Sequence, residues 1–281
     1  MTMPATGKPI HGEGSVRQDR MRVATAIAVL VAFAAVYTIA GVGTNMSALD
    51  MTFGRGMHAG EGMGAMALGV PGGWGGAKFA LVFLMWWLMM IAMMLPSAAP
   101  TILLYTALLR HLPDTAERRV RSGAFMAGYL AAWALFSLWA TAAQWWFEAA
   151  SLISPAKMAF TEGIAAQLLL IAVGAYQFHP LKVRCLAQCR TPSDLIARQY
   201  RPGISGAAQA GFRHGAFCLG CCTALMALLF VGGIMNLFWI FGLAALVALE
   251  KSAPCGRFIG RAVGAGLCGL GIAGLGLLAV S

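Results

Sequence analysis

The chain has 281 residues, 59% of them hydrophobic and 11% charged, with 35 glycines and a formal net charge of +10. An ordinary soluble domain carries about 25% charged residues, so disorder, collagen and small disulfide scaffolds are excluded and a polytopic membrane protein is predicted. Nucleic acid is not an expected partner: no recognition motif accompanies the charge, which flanks apolar runs and there sets topology and attracts membrane lipids.

A helix needs about 20 apolar residues to cross a bilayer. Residues 1–21 read as a cytoplasmic tail, and 22–281 as a single transmembrane helical domain. The first span, 22–43, carries an apolar run longer than the roughly 7–15 residues of a signal peptide, which makes it a retained anchor. The extracytoplasmic loop 44–77 is glycine-rich and without period, yet it holds Met46, Met51, Met57, His58, Met63 and Met66 beside Asp50 and Glu61. Thioethers with an imidazole suit Cu(I). Methionine is also simply apolar, so a loop dipping into the interface fits as well.

The second span, 78–109, contains MWWLMMIAMMLPSAAP at 85–100. At about 100° per residue, Met85, Met89, Met90, Met93 and Met94 share one broad face, with Leu88, Ile91, Ala92 and Leu95 opposite. Such a face could hold or pass a soft cation without bringing charge into the bilayer, or it could be pliable packing. Pro96 and Pro100 each remove an amide donor, so the helix is predicted to kink or open there.

A short basic loop with His111 leads to the third span, 123–147, and an outer connection to the fourth, 162–179, which Pro180 stops. A basic cytoplasmic loop, 180–213, carries Cys185 and Cys189. The fifth and sixth spans, 214–233 and 235–250, need a hairpin turn at VGGIMN, without which the count falls from seven to six. The seventh, 259–280, has small residues at Gly260 and Gly264 with Cys268 on the same line, a pattern that lets helices approach closely in lipid. With the N-terminus cytoplasmic, all of the 20 Lys and Arg residues except Arg55, Lys78 and Lys157 lie inside, as the positive-inside rule requires of a bacterial inner-membrane protein.

In HGAFCLGCC the residues His214, Cys218, Cys221 and Cys222 share a helix face, which Met226 continues. An inner, reducing compartment favours metal or redox use of thiols over disulfides. Cys and His suit copper first, then zinc or an iron–sulfur cluster, with Arg184, Arg190 and Arg213 near enough in sequence to stabilise thiolates. The spacing matches no tabulated zinc or cluster pattern, and buried cysteines also serve as small hydrophobes. His179 and His214 could serve as axial haem ligands, a lower-ranked alternative as a redox subunit. No phosphate loop, zinc-protease motif or haem-attachment motif is present, so no enzyme activity is expected.

The block at 85–105 together with HGAFCLGCCTALM resembles a bacterial family of integral membrane proteins of unassigned function described as predicted metal-binding. The resemblance runs over about 80–250 and its matching positions are Trp86, Met89, Met90, Met93, Met94, Pro96 and Pro100, then His214, Cys218, Cys221, Cys222 and Met226. It implies membrane location and a bound metal. The combined reading is an all-α transmembrane bundle that binds, and transports or delivers, a soft transition metal, copper favoured. The expected ligands are Met57, His58, Met89, Met93, Cys185, Cys189, His214, Cys218, Cys221, Cys222 and Met226, and the expected partner is a protein subunit or metallochaperone. The alternative is a non-catalytic anchor or assembly subunit of a larger membrane complex, its methionines and glycines serving as packing surface.

Overall fold

The computed structural model describes residues 13–41, 48–53, 74–109, 112, 114–154, 158–160, 163–191 and 201–280. The apolar segments are helices, in the order α1 (Glu13–Ala40), α2 (Ala48–Phe53), α3 (Gly76–Leu108), α4 (Thr115–Ala149), α5 (Gly163–Tyr176) and α6 (Pro180–Arg190). There follow α7 (Gly203–Ala227), its short continuation α8 (Leu229–Gly232), α9 (Leu237–Ser252) and α10 (Gly256–Val280). A two-residue antiparallel hairpin, Ile153–Ser154 with Ala159–Phe160, is the strand structure among the described residues. The fold is an all-α bundle.

Among the described residues five helices are long and apolar enough to cross a membrane: Arg17–Ala40, Gly76–Leu108, Thr115–Ala149, Gly203–Gly232 and Gly256–Val280. α5 and α6, bent by 61°, make a sixth if taken as one span. The sequence reading of seven spans, with six possible, exceeds the five or six that pass this test of length and composition among the described residues. The sixth of the seven is α9, whose 16 residues reach about 24 Å at 1.5 Å each, short of a hydrocarbon core of about 30 Å. The turn before it does form: Gly233 adopts a φ of 93°, and Asn236 caps α9 by accepting from the Phe238 amide at 3.0 Å.

Two further boundaries differ from the sequence reading. α1 begins at Glu13, inside the stretch read as a tail, because Asp19 is buried against Arg118 of α4 at 3.0 Å. α6 lies inside the stretch read as a loop, because its Lys182 is buried in an ion pair with Glu250 of α9 at 2.7 Å.

α3 lies at the centre. Met85, Met89, Met90, Met93 and Met94 are buried together with Trp86, and so are Leu88, Ile91 and Leu95 on the other side. The helix runs uninterrupted through Pro96 and Pro100, so the predicted opening does not occur. Packing by α1 and α4 holds it, and two hydroxyls bind the Met94 carbonyl just before the prolines, Ser97 Oγ at 2.9 Å and Tyr129 Oη at 3.2 Å. α7 packs closely on α4 where neither helix has a side chain: a Cβ on Gly211 would strike the Phe125 carbonyl, and one on Gly128 the Ala208 carbonyl. α10 lies on α5 through Gly264 and Gly271, with the Cys268 thiol 3.7 Å from the Ile171 carbonyl, the packing role its spacing predicts.

Candidate metal centre

The close approach of α7 to α4 turns the cysteine face of α7 into the bundle. Cys218, Cys221 and Cys222 are each no more than 2% exposed. The Cys221 and Cys222 thiols donate to the Cys218 carbonyl at 3.1 and 2.7 Å, which fixes the sulfurs relative to their own helix.

Around them stand side chains from four other helices. Cys222 Sγ is 4.0 Å from Cys218 Sγ and 4.0 Å from the thioether of Met94 on α3. Cys218 Sγ also meets the Tyr129 hydroxyl of α4 at 3.3 Å and the Lys251 ammonium of α9 at 3.0 Å. Lys251 is held in turn by donating to Ser97 Oγ at 2.9 Å. On the far side Cys221, one turn after Cys218, lies 3.9 Å from Cys189 Sγ of α6. Sulfur contacts thus run from Met94 through Cys222 to Cys218 and, separately, from Cys221 to Cys189, the two runs joined where the Cys221 thiol meets the Cys218 carbonyl. Among the described residues no three His, Cys, Asp or Glu side chains group to hold a metal ion. The three sulfurs in contact, Cys218, Cys222 and Met94, include a methionine.

The other predicted ligands stand as follows. Met89 and Met93 are buried on α3, but among the described residues the thioether that meets a cysteine is that of Met94. Met226 is buried one turn beyond Cys222. Cys185 is buried with its sulfur packed against Gly220, whose carbonyl accepts from the Tyr176 hydroxyl at 2.6 Å. His214 is buried between the Phe125 and Tyr129 rings, with centroids at 6.3 and 5.7 Å, and its Nδ1 has no hydrogen-bond partner among the described residues. His179 is exposed and caps α6, its Nδ1 accepting from the Leu181 amide, with its ring stacked on Tyr176. Met57 and His58, with most of the outer loop, lie outside the described residues.

Met94, Tyr129, Ser97 and Lys251 escape a reading by sequence spacing. Met94 shares its helical face with four other methionines, so no period singles it out. Lys251 closes an apolar helix, where a basic residue reads as a topology signal. The cation seen at Cys218 is Lys251 rather than Arg184 or Arg190. Arg184 is exposed, and Arg190 donates to the carbonyls of Glu250 and Pro254 at 3.3 and 3.5 Å.

No curated protein and no solved structure matches the chain. Residues 83–274, more than half of it and including all the sulfur residues of this site, match the model of the PpoB2 family, described as copper chaperone. The chain belongs to that copper-chaperone family.

Proposed function

We propose that the chain is an inner-membrane copper chaperone that holds Cu(I) between Cys218, Cys222 and Met94 and passes it on to an acceptor protein. The observation that carries this reading is the sulfur spacing, 4.0 Å from Cys218 to Cys222 and 4.0 Å from Cys222 to Met94, contributed by two helices. With metal–sulfur bonds of about 2.3 Å, two sulfurs at that separation subtend roughly 120° at an ion between them, the angle of a three-sulfur site. Thiolate and thioether ligands select Cu(I).

Charge favours the same ion. Lys251 places one positive charge 3.0 Å from Cys218 Sγ. Two thiolates balance that ammonium together with one monovalent ion, leaving the buried cluster neutral. A divalent ion such as zinc would leave it positive, at a desolvation cost a low-dielectric interior does not repay. The work is ligand exchange, with no covalent reaction on a substrate. The basic ends of the helices assign the α6 and α9 C-terminal side to the cytoplasm.

The test is anaerobic Cu(I) titration of the detergent-purified chain against a competing chelator, with elemental analysis. The wild type should retain copper, the Cys218→Ser, Cys222→Ser double variant should lose it, and Met94→Leu should weaken retention by about tenfold or more. Copper-free wild-type protein that co-purifies with another membrane subunit would establish an anchor instead.

A further inference from the structure

Two cysteines of the series take no part in that holding site. Cys221 follows Cys218 by one turn and faces Cys189 at 3.9 Å, a separation as short as those within the holding site. The two differ in access. Cys221 is buried, whereas Cys189 is only partly buried. Cys189 also comes from a separate helix, and that helix is pinned. Lys182 of α6 donates to both Glu250 oxygens at 2.9 and 2.7 Å and also bonds Gln177, while Arg190 donates to the Glu250 and Pro254 carbonyls. An 11-residue helix of low hydropathy is thereby docked so that its last turn sets a thiol beside the buried cluster.

We infer that Cys221 and Cys189 form a second, two-thiolate Cu(I) station, the exit through which the ion held by Cys218, Cys222 and Met94 reaches an incoming thiol-bearing acceptor. The inference rests on the function proposed above. In the transfer, Cys221 Sγ bonds to copper as the Met94 and Cys222 sulfurs leave it, and Cys189 Sγ then replaces Cys218 Sγ. The protons released by the Cys221 and Cys189 thiols return to Cys222 and Cys218. Copper stays Cu(I) throughout, so no oxidant or reductant is required. Because Cys221 sits one turn from Cys218 with its thiol on the Cys218 carbonyl and 3.9 Å from Cys189, the ion keeps at least two sulfurs at each step and never crosses the interior bare. An acceptor meets the copper at Cys189, the accessible end of the series.

The full chain, loaded with one equivalent of Cu(I) under anaerobic conditions, is mixed in stopped flow with bathocuproine disulfonate, and retention is measured separately by equilibrium competition. Cys189→Ser should keep its copper at equilibrium, which also reports that it is folded, and should surrender it about tenfold more slowly or slower still, the scale on which losing a group that supports a metal site acts. Cys189→Met, which keeps a sulfur, should recover part of the rate. Transfer from Cys189→Ser at the wild-type rate would overturn the exit station. So would loss of equilibrium retention in a monodisperse Cys189→Ser protein, since Cys189 would then belong to the holding site. Wild-type protein that retains no copper would instead defeat the underlying function.

Discussion

Lys251 sets its ammonium 3.0 Å from Cys218 Sγ and 2.9 Å from Ser97 Oγ. A cation beside a cation site is tolerable only when the sulfurs bring more negative charge than the ion brings positive, so at the proposed site this one side chain would discriminate between metals. Replacing Lys251 with Gln keeps a donor for Ser97 and removes the charge. A two-thiolate site is then anionic with Cu(I) and neutral with zinc. Lys251→Gln should lower Cu(I) affinity by about 10- to 100-fold while raising affinity for zinc, both read by chelator competition. Unchanged affinities would show that the lysine does not set the charge of the site. The sequence marks the cysteines well, since His214, Cys218, Cys221 and Cys222 share a face whatever surrounds them. It cannot choose Met94 over Met89 or Met93, because α3 is buried on all sides and every methionine on its broad face has a neighbour.

The contact between α4 and α7 decides whether those cysteines face the bundle. Gly211 has the Phe125 carbonyl where a Cβ would stand, whereas Gly266 of α10 has nothing within 4 Å. Gly211→Leu should therefore force α7 off α4 and break the 3.3 Å contact of Tyr129 Oη with Cys218 Sγ, lowering both the unfolding temperature and copper retention. Gly266→Leu should change neither. Thermal unfolding in detergent with copper analysis compares the two, and equal effects would refute close packing as the cause. The spacing rule for small residues was informative on α10, where Gly260 and Gly264 are buried against neighbouring elements. α6 was harder to read. Lys182, Arg184 and Arg190 depress its hydropathy, and the partner that lets Lys182 be buried, Glu250, lies 68 positions away. No local window contains the residue that makes the helix pay for its burial.

Across the whole molecule, long apolar runs and the distribution of basic residues made an all-α membrane bundle legible, while the number of spans depended on how α5, α6 and α9 end. Those ends meet in the buried Lys182–Glu250 pair at 2.7 Å, which ties the helix bearing Cys189 to the helix bearing Lys251. Removing one partner strands a buried charge. Lys182→Met or Glu250→Leu alone should each cost about 3–5 kcal/mol, whereas the double variant, apolar on both sides, should fall near the wild type or above it. Arg190 still binds the backbone carbonyl of Glu250 in the double variant, so α6 retains a tether there. Copper transfer should follow the same order, slowed in both single variants as Cys189 moves from Cys221 and largely restored in the double. Unfolding temperatures and stopped-flow release, measured on one set of proteins, test this together. If the double variant recovers stability but not transfer, the charges themselves act on the moving ion. If it recovers both, their work is to hold α6 in place.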